Sequence, residues 1–145
     1  MSRKFAILAA TMLGVTLAIT GFSVADDESP LGKQMSAINK KSGAIRKATK
    51  NVAQWKKDAK SVVADAEAIS KIAKESKKDK SAAEKVKKPF ADYEKMMDDM
   101  IKASDELAVL AKNPDTKQPQ AKAAFNSLSK TCTECHNVYR IEDEK

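Results

Sequence analysis

Between Leu31 and Ala73 the chain has no proline and an apolar seam that never loses step. Leu31, Met35, Ile38, Ser42, Ile45 and Thr49 advance by alternating steps of four and three. Val52, Trp55, Ala59, Val62, Ala66, Ile69 and Ala73 carry the stripe onward. Such spacing marks helix with one buried face. Taken literally it is a single rod of about 45 residues, roughly 70 Å long at 1.5 Å per residue. A domain of this size cannot cover such a rod, so the chain must double back. Thr49-Lys50-Asn51 is the expected turn, because Asn51 followed by Gln54 resembles a capping box opening a second helix.

The first helix is expected to begin at Ser29-Pro30, with Ser as N-cap and Pro at the first helical position. Asp26, Asp27 and Glu28 stand where the helix dipole favours negative charge. Lys74 to Lys88 is rich in Lys and Ser and reads as a polar loop. Pro89 opens a third helix with the seam Phe90, Tyr93, Met97, Met100, Ser104, Leu107, Ala111, and Asn113-Pro114 stops it. Pro119 opens the last helix, through Phe125, Leu128, Cys132, Cys135 and Tyr139, which frays in Glu142-Asp143-Glu144-Lys145. Gly and Pro are scarce while Ala, Lys, Met and Leu are common, which is helix-forming composition. The expected fold is all-α, an antiparallel four-helix bundle, with cofactor sites between facing helices. Ser42 and Gly43, small residues in mid-seam, leave room there for a close neighbour or a flat cofactor.

The first residues have a different character. Ser2-Arg3-Lys4 is a basic n-region, Phe5 to Val24 is mostly apolar, and Ser23-Val24-Ala25 precedes an acidic run. This is the pattern of a secretory signal peptide cut after Ala25. The competing reading is an uncleaved anchor, because the apolar run approaches the ~20 residues that span a bilayer. Cleavage leaves 26–145 as one periplasmic domain with no stable membrane insertion.

Cys132-Thr133-Glu134-Cys135-His136 holds both cysteines and the only histidine. C-x-x-C-H is the attachment pattern of c-type haem: each thiol adds across one vinyl group, and the histidine offers a ring nitrogen to the iron. On a helix these three residues share one face. A thioredoxin-like reading needs a βαβ context, which is missing from the flanking pattern. A structural zinc site wants about four ligands, and with two Cys and one His the fourth would have to be a carboxylate or come from another chain. A disulfide between i and i+3 of a helix is poor geometry. A haem-free helical binding module, with those cysteines in a disulfide or holding a metal with His136, stays open as the alternative from a different class.

Formal charge is +7 over the whole chain. It is uneven: 31–88 carries 17 basic and 6 acidic residues, and 89–145 carries 8 and 11. The plain explanation is solvated helix faces. The functional one is a basic surface that steers an acidic redox partner protein. The basic residues are not interleaved with aromatics, and an exported chain does not point to nucleic acid. No nucleophile, acid–base pair or substrate pocket is visible, so neither a hydrolase nor a transferase is expected, and the chain reads as a non-enzyme.

A haem motif on the last of four helices resembles the class II cytochromes c, the cytochrome c′ family. Cys132 to Arg140 is similar to that family's C-x-x-C-H-x-x-[aromatic]-[Arg/Lys], with Tyr139 and Arg140 in the final places. The resemblance implies a four-helix bundle, often a homodimer, with one covalent haem c carried by the C-terminal helix and packed against the first. It implies Cys132 and Cys135 as thioether sites, His136 as proximal iron ligand and Arg140 as a basic residue beside the haem. Low-spin members place a methionine from the first helix on the iron and transfer electrons, and Met35 stands at that position. High-spin members leave the position open and bind nitric oxide or carbon monoxide. By spacing alone Met35 is an ordinary core methionine, and Met96, Met97 and Met100 are rival sulfur donors that read as core or boundary residues. Lys33-Gln34 matches only loosely the Arg or Gln pair of some members. The family's frequent tryptophan early in the third helix is replaced by Phe90 or Tyr93.

Overall fold

A computed structural model describes residues 29–140. The expected signal peptide and the C-terminal residues expected to fray lie outside them. Five helices follow in order: α1 Pro30–Ala48, α2 Val52–Ser76, α3 Ser81–Val86, α4 Phe90–Lys112 and α5 Gln118–Tyr139. Among the described residues there is no strand. The four long helices form the all-α bundle.

The helix ends are set by side chains that answer unpaired backbone groups. Ser29 Oγ accepts the Gly32 N–H at 3.1 Å, with Pro30 next to it. The seam breaks at Thr49, which is buried and donates its hydroxyl to the Ile45 carbonyl at 2.9 Å. Asn51 Oδ1 then accepts the Gln54 N–H at 2.8 Å and starts α2. The Gln54 side chain turns to Asp58 instead of reaching back, so the capping box is half made. This turn shifts the seam: Val52, expected on the buried stripe, is 53% exposed, and Trp55 takes over as the first buried residue of α2.

The stretch 74–88 departs from the polar loop expected of it. α2 runs on to Ser76, and 81–86 forms α3 with Ala82 and Ala83 buried. Nothing in that stretch breaks a helix, and alanine is the strongest helix former. Asp79 Oδ1 accepts the Ser81 N–H at 2.8 Å and opens the turn. At its end Lys87 N–H donates to Glu84 O and Lys88 N–H to Ala83 O, a Schellman closure. Its left-handed position, usually glycine, is held by Lys87 at φ 54°. A non-glycine residue there costs on the order of 1 kcal/mol.

Packing follows the sequence of long helices: α1 against α2, α2 against α4, α4 against α5. The fourth adjacency, α1 with α5, is by far the loosest. Ile45, Ile69, Met97, Leu107 and Leu128 are fully buried between the layers, each stabilising by about 1.5–3 kcal/mol through removal of apolar surface from water. Lys77–Asp98, Lys74–Asp105 and Glu67–Lys112 form a ladder along the α2/α4 seam. These groups are substantially exposed, so the ladder reports the antiparallel register more than it stabilises it.

The two ends of the bundle are closed by different contacts. At one end Trp55 Nε1 donates to the Thr116 carbonyl at 3.0 Å, and Gln118 Nε2 donates to Thr49 O at 2.6 Å. At the other, Ser76 Oγ donates to Gln34 Oε1 at 2.8 Å, Tyr93 Oη to Ser76 O at 3.0 Å, and Tyr139 Oη to Pro89 O at 3.3 Å. The start of α1, the end of α2, the start of α4 and the end of α5 therefore meet at this second end, with α3 beside them.

Candidate haem site

Cys132, Cys135, His136 and Arg140 all lie in the last two and a half turns of α5 or at its cap, at the end closed by Tyr139 and Pro89. The cysteines carry no disulfide; Cys132 is half-buried and Cys135 buried. Burial pushes the Cys135 thiol up to about 11, with the nearby Cys132 adding to it. Burial also raises Cys132, against hydrogen bonds to Thr131 and the backbone that pull it down. Both are protonated thiols at neutral pH. A redox dithiol works through a thiolate of lowered pKa, and this environment shifts both thiols the other way. Among the described residues no three His, Cys, Asp or Glu side chains converge as a metal site.

His136 is exposed as a residue, yet the protein around its ring removes enough water to lower its pKa, and the Arg140 guanidinium one turn on lowers it further. Its imidazole is neutral at neutral pH, with a lone pair to give to a metal. The Arg140 N–H donates to the His136 carbonyl at 3.2 Å and ends the helix.

Met35 lies on α1, half-buried and packed against the core. Its height relative to α5 can be read from the far end. Arg46 sits 6.0 Å over the Phe125 ring. Eleven residues back along α1 from Arg46 is Met35; eleven residues forward along antiparallel α5 from Phe125 is His136. Both steps rise about 16 Å at 1.5 Å per residue. The route around the other side agrees: Gln34 meets Ser76, Ser76 meets Tyr93, and the Tyr93 and Tyr139 rings stack edge-on at 5.3 Å. Met35 and the Cys132–His136 face are thus level. The side-chain links between α1 and α5, Arg46 over Phe125 and Gln118 to Thr49, lie at the far end.

The rival methionines are accounted for by packing. Met97 and Met100 are buried in the α4 core and Met96 is half-buried on the same helix. A groove of about 680 Å³ runs along α4 beside Ile101, Val109 and Leu110, and holds none of the candidate residues.

A family model described as Cytochrome C′ matches residues 32–140. The chain belongs to the cytochrome c′ family. Neither the curated proteins nor the solved structures gave a match. As a member, this class II cytochrome c carries one covalently attached c-type haem with its iron. Its residues fit that group: two unpaired thiols and a neutral imidazole share one face of α5, a helix that packs only sparsely against α1. Gly43 on α1 stands in open space, where a Cβ would meet nothing within 4 Å. No neighbouring element of the cytochrome demands a glycine at that position.

Two supports of the site were not anticipated. Gln34, beside Met35, is tied to Ser76 and pins the start of α1 to α2. Phe90, Tyr93 and Tyr139 form an aromatic wall under Cys135, with Phe90 and Tyr93 stacked at 5.9 Å. The inward position of Tyr93 was legible from the α4 seam. Its bond to the end of α2 spans 17 residues and leaves no local pattern.

Proposed function

We propose that this cytochrome is an exported, periplasmic carrier of single electrons. Cys132 and Cys135 would hold the haem by thioether bonds, and His136 and Met35 would ligate its iron. The observation that supports this reading is the level of Met35 on α1 with His136 on α5, two helices whose side-chain links, Arg46 over Phe125 and Gln118 to Thr49, lie at the far end. When bound, the haem iron supplies a one-electron Fe(II)/Fe(III) couple.

The chain's own residues do the rest. The two thiols, i and i+3 on α5, would fix the group to one rigid helix at two points. His136 presents a neutral ring nitrogen, because burial first and the Arg140 charge second disfavour a proton on that ring. Met35 presents a soft thioether, which favours the reduced iron and raises the potential relative to harder donors. Gln34 holds that turn of α1 in place, and the Phe90–Tyr93–Tyr139 wall excludes water from the inner side. We assign the cytochrome no substrate chemistry. Residues 1–25 serve as the cleaved export signal, the basic half of the chain steers an acidic redox protein, and the family's usual homodimer is the expected assembly.

The competing arrangement within the family leaves the position opposite His136 open for nitric oxide or carbon monoxide, with Met35 as core filler. A potentiometric titration of the haem-loaded protein separates the two. A reversible one-electron couple that moves to lower potential in Met35→Ala is expected; a potential indifferent to that change contradicts ligation.

A further inference from the structure

The bundle end that holds the haem-motif residues is also the most lysine-dense part of the chain. Residues 74–88 contain seven lysines against Glu75, Asp79 and Glu84. Lys74 and Lys77 are occupied by Asp105 and Asp98 on α4, and Lys80 lies over the Phe90 ring at 5.5 Å. Lys78, Lys85, Lys87 and Lys88 are exposed and form no ion pair among the described residues.

Their position follows from the chain. Lys87 and Lys88 immediately precede Pro89, whose carbonyl accepts the Tyr139 hydroxyl. Tyr139 is one helical turn beyond His136 on α5. α3 itself packs against α5. Lys87 carries a further mark: it is the only non-glycine residue at positive φ among the described residues, in a Schellman position where glycine is the unstrained choice. Glycine would be unstrained there, so the lysine side chain can be removed at this position without a conformational cost.

We propose that Lys78, Lys85, Lys87 and Lys88 form the docking surface for an acidic redox protein, placing it against the haem end of α5. This rests on the electron-carrier reading and locates its partner. The exchange is balanced: one electron leaves the reduced partner protein, which is a flavin protein in the test below, and the ferric cytochrome gains it. Unpaired surface lysines accelerate encounter with an oppositely charged protein roughly 10- to 1,000-fold, an effect that salt suppresses.

The test uses the haem-loaded mature protein, reduced flavodoxin as the acidic protein probe and reduced lumiflavin as a small one without an acidic protein surface, in stopped flow. In Lys85→Gln/Lys87→Gln/Lys88→Gln, reduction by flavodoxin at low salt is expected to slow about tenfold, with the gap closing at high salt and lumiflavin unaffected. Lys56→Gln/Lys57→Gln/Lys60→Gln, at the far end of α2, is expected to change the flavodoxin rate little. Lys87→Gly is expected to slow flavodoxin while leaving the melting temperature unchanged or higher, which a purely structural role cannot produce. With both proteins oxidised, amide shifts on flavodoxin addition are expected to centre on 78–88. Equal slowing in the far-end triple would overturn the proposal, since net charge alone would then explain the effect. So would anionic phospholipid vesicles that bind the wild type but not the 85/87/88 triple, with the flavodoxin rate unchanged. Failure of both reagents to reduce the wild type would sink the carrier reading itself, and the docking surface with it.

Discussion

Tyr93 joins three elements at the haem end, and its removal has a pH signature. Its hydroxyl donates to the Ser76 carbonyl at 3.0 Å, and its ring packs between Phe90 and Tyr139. Tyr93→Phe keeps the ring and deletes the bond. The Ser76 carbonyl still accepts the Asp79 N–H at 3.0 Å, so it is not orphaned. The loss at pH 7 is therefore at the lower end for a buried hydrogen bond, about 1 kcal/mol, or about 4 °C in melting temperature. At high pH the balance changes. Burial, then the Cys135 and Asp79 charges, push the Tyr93 hydroxyl up to about 12. Burial, the leading cause, persists after haem attachment. The unfolded chain releases this proton near pH 10. Between about pH 10 and 12 the unfolded state thus binds fewer protons than the folded one, and wild-type stability falls as pH rises. By linkage the loss at pH 11 is at most about 1.4 kcal/mol, and less by the Cys135 share, because a thioether carries no charge. Phenylalanine has no such proton. Denaturant unfolding of both haem-loaded proteins, followed by far-ultraviolet circular dichroism, is expected to show the wild type ahead at pH 7. The gap should close or reverse at pH 11. A gap that stays constant between these values would refute the assigned burial and bonding of Tyr93.

Gly43→Ala is expected to stabilise the bundle by about 0.5–1 kcal/mol, because helix propensity favours alanine and its Cβ meets nothing within 4 Å; a lower melting temperature or a changed haem spectrum would mean that the haem or a second subunit presses there. Asn51→Ala removes the acceptor for the Gln54 N–H and should cost about 1 kcal/mol in thermal unfolding; no change would show that the turn at 49–51 holds without the cap. Cys132→Ala and Cys135→Ala are each expected to keep haem covalently through the remaining thioether, and the double variant to lose it in denaturant, as read by intact mass. Covalent haem in the double variant would place the attachment elsewhere.

The seams of α4 and α5 were readable because a buried face recurs every three to four residues, and Met97, Leu107 and Leu128 fall where that spacing puts them. The turn at Thr49 was readable for a cruder reason: no domain this small covers a rod of that length. Val52 was misread because periodicity carries no phase across a turn that replaces three helical residues. α3 was missed because its two buried alanines are too few to make a moment, and its lysines resemble any solvated loop. At the site, C-x-x-C-H is local and needs no tertiary information. The level of Met35 with His136 is different. It depends on antiparallel register between residues about a hundred positions apart, and only contacts such as Arg46 over Phe125 establish it. Gln34 to Ser76 likewise joins residues 42 apart, and no sequence spacing announces it.

The most direct test of the account is the optical spectrum of the reduced, haem-loaded protein with and without carbon monoxide. The wild type should be compared with Met35→Ala and with Met35→Leu, which preserves packing. If His136 and Met35 both ligate the iron, the wild type shows sharp low-spin bands that carbon monoxide leaves unchanged, and both variants turn high-spin and bind the gas. Broad high-spin bands in the wild type that shift with carbon monoxide, unaltered by either substitution, would contradict Met35 ligation and return the protein to the gas-binding branch of its family.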